Sequence, residues 1–143
     1  MPSAERTLTI AAPIEKVFAF FTNAENDAAW RSDVVEAKAE GPLAVGTIVR
    51  QVVAGPAGIG QVAADSQVTA YEPPNTYAFK IIAGPVRPQG SFTFAEVDNG
   101  TSVTMKLDVD IRGPQKFVFS KPAQSAMNST MKALDKAKAV LEA

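Results

Sequence analysis

Along the last stretch of the chain, apolar residues recur at steps of three and four: Ala123, Met127, Met131, Leu134, Ala137 and Leu141. That spacing gathers them on one face of a helix, so a long amphipathic helix is predicted over residues 120–143. Ser120 is placed to cap its start and Pro122 falls in its first turn, while Lys132, Lys136 and Lys138 lie toward the C-terminal end, where the helix dipole favours cations. A second helical signal is short. After Ala11, Ala12 and Pro13, the residues Ile14, Val17, Phe18 and Phe21 recur at i, i+3, i+4 and i+7, which predicts a helix ending near Asn23. One more helical turn is expected within residues 24–30.

Elsewhere the period is two. Strands are predicted at residues 5–10, 33–40, 47–54, 62–71 and 76–83, separated by Gly41-Pro42 and Gly46, by the glycine-rich run 55–60 and by Pro73-Pro74-Asn75. Gly84-Pro85 and Pro88 bend the chain again. A hairpin follows, residues 91–97 and 101–112 joined by Asp98-Asn99-Gly100, with Asn-Gly supplying the positive φ of a tight turn. Gly113-Pro114 ends its second strand, and Phe117 and Phe119 are expected in the connection to the helix. In that second strand Val103, Met105, Leu107, Val109 and Ile111 share one face. Lys106, Asp108, Asp110 and Arg112 share the other, which therefore faces water.

This order gives an α+β fold: a seven-stranded antiparallel sheet, one or two short helices after the first strand, and a long C-terminal helix that buries its apolar face on the sheet. The 143 residues make one domain, 1–143. Without cysteine there are no disulfide staples and no thiol chemistry, and without histidine the commonest proton shuttle and metal ligand are missing. No cofactor and no metal are expected. Balanced charge, 14 basic against 15 acidic residues, leaves no footprint for nucleic acid. Nor does any apolar run reach the length of a membrane span, so no integral membrane contact and a cytoplasmic location are expected, with Glu5 and Arg6 standing where a signal peptide would be apolar. With no obvious exposed apolar stripe, a monomer and a dimer fit equally.

Several segments, in this order, resemble the START-like superfamily, and within it the bacterial polyketide cyclase/dehydrase and lipid-transport branch. They are Thr9-Ile10-Ala11-Ala12-Pro13-Ile14-Glu15-Lys16-Val17-Phe18, Trp30, Gly46-Thr47, Val68-Thr69-Ala70-Tyr71-Glu72-Pro73-Pro74, and Phe92-Thr93-Phe94 leading to Asn99-Gly100-Thr101-Ser102-Val103-Thr104. The resemblance spans essentially the whole chain. It implies a helix-grip fold, with the sheet curled around the C-terminal helix and a cavity between them for hydrophobic ligands; Trp30 would lie near the cavity mouth. Because the superfamily holds carriers, receptors and cyclases, fold analogy does not choose among them.

Strand parity points Val68, Tyr77, Phe79, Ile81, Phe92, Phe94, Val103, Met105 and Leu107 inward, toward Met127 and Met131 of the helix. These side chains either fill a core or, as the resemblance implies, wall a hollow whose adjacent methionines are adaptable. Arg87, between Pro85 and Pro88, and Tyr71 are the candidate polar anchors for a ligand oxygen. Asp108 and Asp110, flanked by Lys106 and Arg112, read as a solvated charge ladder. The 55–60 run has no following helix or Lys-Ser/Thr pair for phosphate and reads as a flexible loop, a mobile lip over the cavity. Three functions stay open: binding or transport of a small hydrophobic or amphipathic molecule, a cyclase/dehydratase-type enzyme, and a domain with a filled core and no small ligand.

Overall fold

The computed structural model describes residues 2–55, 60–84 and 86–143. The chain opens with β1 (Ser3–Ile10), α1 (Ile14–Thr22), a 3-10 turn (Ala24–Asn26) and the single-turn α2 (Asp27–Trp30). Seven strands follow: β2 (Val34–Ala39), β3 (Ile48–Ala54), β4 (Gln61–Ala63), β5 (Ser66–Glu72), β6 (Thr76–Ile81), β7 (Gln89–Val97) and β8 (Gly100–Asp108). Helix α3 (Gln115–Glu142) ends the chain. The sheet runs β1-β8-β7-β6-β5-β3-β2, all antiparallel, with β4 beside β3 and off that path. The expected seven-stranded path and long helix are thus both present.

The strand expected at 62–71 is two pieces, β4 and β5, because the Asp65 carboxylate interrupts the ladder. Its Oδ1 accepts the Gln51 N–H at 3.0 Å and its Oδ2 accepts from Arg50 at 2.7 Å, so a side chain takes the place of a backbone carbonyl. The Gln51 hydrogen bond is the main reason that the Asp65 carboxyl lies below its ordinary pKa, more than offsetting the effect of burial. Asp65→Ala strands the N–H of a buried residue. Its expected cost is about 1–2 kcal/mol, seen as a lower urea midpoint at unchanged slope. A shift below about 0.5 kcal/mol would remove Asp65 from the account of this junction.

At the other end, β8 stops at Asp108 rather than running to residue 112. Its partners run out there, at Ser3 on one side and Gln89 on the other. Val109 still donates to the Pro2 carbonyl, and Val109 and Ile111 stay buried.

Helix α3 begins at Gln115, not at Ser120. Gly113, at φ +67, turns the chain, and Pro114 brings its fixed helical φ to the cap position. Phe117 and Val118 therefore sit in the first turns of the helix, and both are exposed, Phe117 at 84%. They form an apolar surface that the sequence pattern did not announce. Pro122 lies inside the helix and has no N–H for the Val118 carbonyl. Farther on, Met127, Met131, Leu134, Ala137 and Leu141 are all buried, as their period requires. Polar contacts tie this half down. Arg6 of β1 donates to the Met131 carbonyl and pairs with Asp135, Lys138 donates to the Thr9 carbonyl, and Glu142 accepts the Ala11 N–H.

Candidate functional site

The inner face of the sheet carries a continuous aromatic surface. Alternation places Tyr77 and Phe79 of β6 beside Phe92 of β7, with ring centroids 6.4–6.5 Å from Phe92, and Phe94 stacks on Phe92 at 6.0 Å. Gly90 makes room for this arrangement: a Cβ there would lie 2.6 Å from the Phe79 ring and 2.7 Å from Leu107. From the helical side, Phe21 of α1 packs on Phe92 at 5.0 Å and on Trp30 at 5.5 Å, the latter edge-on.

Every inward-facing candidate read from the sequence lies on this side. Trp30, Val68, Tyr77, Phe92, Phe94, Val103, Met105, Leu107, Met127 and Met131 are buried together, while Phe79 and Ile81 are half-buried at its edge. Tyr71 reaches the same face through an irregularity. The β5–β6 register shifts between Val68 and Ala70, so Val68 pairs with Phe79 and Tyr71 with Tyr77, although the spacing from 68 to 71 is odd. Its ring meets Phe18 at 5.7 Å.

Arg87 is placed differently. It is exposed on the loop before β7, and its Nε donates to the Gly84 carbonyl at 3.1 Å. Asp108 and Asp110 are also exposed; Asp110 pairs with Arg112 and Asp108 accepts from Gln89. Residues 56–59 of the expected lip lie outside the described residues.

Two concavities stand out among the described residues. One, of about 550 Å³, opens between α1, the 3-10 turn and β2, with Phe18, Thr22, Lys38, Leu43 and Tyr71 in its wall. The other, of about 590 Å³, lies over the outer side of β1, β7 and β8, around Glu5, Ser91, Lys106 and Asp108. Neither of the two lies between the sheet and α3. The first, however, shares Phe18 and Tyr71 with the aromatic surface.

A polar group that sequence reasoning missed lies against this surface. Asp27 opens α2, and burial raises its carboxyl from 3.8 to about 6. The Arg31 charge and the Trp30 indole N–H oppose that rise, and Asp33 adds to it. Tyr77 is pushed up to about 12, chiefly by burial and then by the Asp27 and Tyr71 charges. The Trp30 N–H acts on Asp27 but falls short of hydrogen-bond geometry; among the described residues, Trp30 Nε1 and Arg31 Nε are both buried without a partner. Among the described residues, no cluster of three or more acidic, histidine or cysteine side chains is arranged to hold a metal.

The family described as polyketide cyclase / dehydrase and lipid transport matches residues 1–142. The chain belongs to that family. Solved structures similar to this member of the polyketide cyclase / dehydrase and lipid transport family share its fold. The di-domain ARO/CYC protein BexL, from the BE-7585A biosynthetic pathway, aligns with a TM-score of 0.80 and 20% identity over 99% of this chain. This chain spans half of BexL's length, 50%. TTHA0849 from Thermus thermophilus aligns at TM-score 0.77 and 18% identity, covering 96% of this chain and 95% of its own. A START superfamily protein from Mycobacterium smegmatis gives TM-score 0.77 and 14% identity, with 98% and 97% covered. No curated protein matches the family member in sequence. No helix among the described residues is long and apolar enough to cross a membrane.

Proposed function

We propose that this chain binds a small hydrophobic or amphipathic molecule between the inner face of the sheet and α3, reached from the α1/β2 side. One observation carries this reading: the 550 Å³ pocket ends on Phe18 and Tyr71, which are themselves part of the aromatic surface, so the opening leads onto an apolar wall rather than onto solvated sheet. Tyr71, Tyr77, Phe79, Phe92, Phe94, Met105, Met127 and Met131 would line the ligand, with the methionines adapting to its shape. The family description, which joins lipid transport to polyketide cyclisation, is consistent with either cargo.

Native mass spectrometry of the purified protein tests the reading. A reproducible added mass is expected, and Met131→Phe, which adds bulk from the α3 side, is expected to reduce it. A bare mass that stays bare after incubation with a fatty acid, a sterol and an aromatic ketone would overturn the proposal.

A cyclase-type reaction is the second reading, favoured by one specific feature. A carboxyl that burial pushes up to about 6, and whose charge acts on the buried Tyr77, suits general acid–base work at neutral pH better than an ordinary aspartate does.

A further inference from the structure

Asp27 and Trp30 stand at i and i+3 on the α2 turn, and Arg31 closes its end at i+4, its backbone N–H donating to the Asp27 carbonyl. Tyr77 of β6 joins this group through the aromatic stack, Tyr77 on Phe92 at 6.4 Å, Phe92 on Phe21 at 5.0 Å and Phe21 on Trp30 at 5.5 Å, and the Asp27 charge adds to the rise that burial gives the tyrosine. The hydrogen-bond inventory of this group does not close. The terminal nitrogens of Arg31 reach Gln51 Oε1 and Asp33 Oδ2 only at 3.4 Å each, and its Nε has no partner among the described residues. Trp30 is 3% exposed, and among the described residues its indole N–H meets no acceptor in full hydrogen-bond geometry, although it acts on the Asp27 carboxyl. Each such orphan costs about 1–3 kcal/mol, and cores built only for packing rarely keep them on adjacent residues.

The charges narrow what would complete the group. Arg31 is balanced by Asp33, so an ionised Asp27 leaves the cluster with a net negative charge. Donors without an acceptor, set in a negative field, suit an uncharged oxygen and repel an anion.

We propose that Asp27, Trp30, Arg31 and Tyr77 form a polar subsite that receives a neutral carbonyl or hydroxyl oxygen of an otherwise apolar ligand and rejects anionic head groups at neutral pH. The subsite rests on the ligand-binding reading above. In it the Trp30 and Arg31 N–H groups donate to the ligand oxygen, and the Asp27 carboxylate accepts from a ligand hydroxyl. Arg31, Asp33 and Tyr77 are the titratable groups facing Asp27. As pH falls through about 6, Asp27 takes up a proton and the cluster loses its net charge. Discrimination against anions should fade in the same range.

Trp30 is the only tryptophan, so the ¹⁵N-labelled full chain gives a single indole cross-peak that reports on the subsite. The probes are 2-nonanone and nonane-1-sulfonate, which stays anionic throughout, each titrated at pH 7.5 and 5.0. At pH 7.5, 2-nonanone is expected to move the indole proton downfield, and the sulfonate to bind about tenfold more weakly. The sulfonate should recover about fivefold or more at pH 5.0 in the native protein and show no such gain in Asp27→Asn. Methionine methyl signals from Met105, Met127 and Met131 separate the failures. If 2-nonanone moves the methyls but leaves the indole peak in place, or both probes bind equally at pH 7.5, the subsite is refuted and the hollow stands. If neither probe moves either set of signals, both proposals fall.

Discussion

Gly100→Ala is expected to cost about 4 kcal/mol or more, lowering Tm by about 15 °C if the variant folds at all. Gly100 begins β8 at a φ of +138, and a Cβ built there lies 2.1 Å from the Ile10 carbonyl oxygen and 2.9 Å from the Ala11 Cα. Both obstacles are backbone. No rotamer change can relieve them, and the chain can accommodate a methyl group only by pulling the end of β1 away from the turn. That end also holds the buried Thr101, whose hydroxyl donates to the Ala12 carbonyl at 2.8 Å, and it leads into α1, which supplies Phe18 and Phe21 to the aromatic surface. Gly113→Ala is the control. Its φ of +67 is also unfavourable for alanine, but nothing lies within 4 Å of the new Cβ, so about 1 kcal/mol is expected from conformation alone. Thermal unfolding of the two variants separates collision from strain; equal costs would show that the contact at Gly100 is relieved cheaply.

Asp27→Asn is expected to stabilise the protein at neutral pH. The folded state raises the Asp27 pKa from 3.8 to about 6, so it binds this proton more tightly than the unfolded chain does. Between roughly pH 4 and 6 the folded state therefore carries more protons, and stability falls as pH rises through that window. Above it both states are ionised and the loss stays constant, on the order of 2 kcal/mol once partial exposure of the residue is allowed for. Asparagine does not ionise. The variant should match the native protein near pH 4 and exceed it by about 2 kcal/mol at pH 7.5 in urea unfolding. Asp65, Asp135 and Glu142 have lowered pKa values and contribute stability of the opposite pH sense, but they are common to both proteins and cancel in the difference. A difference that does not change with pH would show that Asp27 is not the desolvated group.

Stability lost to an ionised side chain is commonly retained for function, and this residue was the one least visible in the sequence. Its neighbours Ala28 and Ala29 give the segment no apolar period, and an aspartate in a weak helical turn reads as solvent-exposed. The available signal was its spacing of three and four from Trp30 and Arg31, which has meaning only once Trp30 is known to be buried. Arg87 drew attention instead because two prolines flank it, yet its guanidinium is occupied with its own loop.

The inward set of Phe92, Phe94, Met105 and their neighbours was readable because a strand has one parity and one wet face. Parity fails at Tyr71, where the shift after Val68 turns the chain over without a glycine or proline to mark it. The grip of α3 was equally legible from Met127 to Leu141. Its start was not, since exposed Phe117 and Val118 break the amphipathic pattern and Pro122 imitates the first turn of a helix that is already under way.

That early start makes α3 an unequal beam. Its fully buried face begins at Met127, preceded by the half-buried Phe119 and Ala123 and by Gln124, which exchanges hydrogen bonds with Ser3, while the first two turns carry two bare apolar side chains and then meet a proline that cannot close its hydrogen bond. Fraying these turns uncovers one half-buried side chain, Phe119, and none of the fully buried core, whereas loosening the remainder would dissolve the fold. The helix is thus clamped at one end and free at the other, and it can flex at its tip while the clamp holds its register.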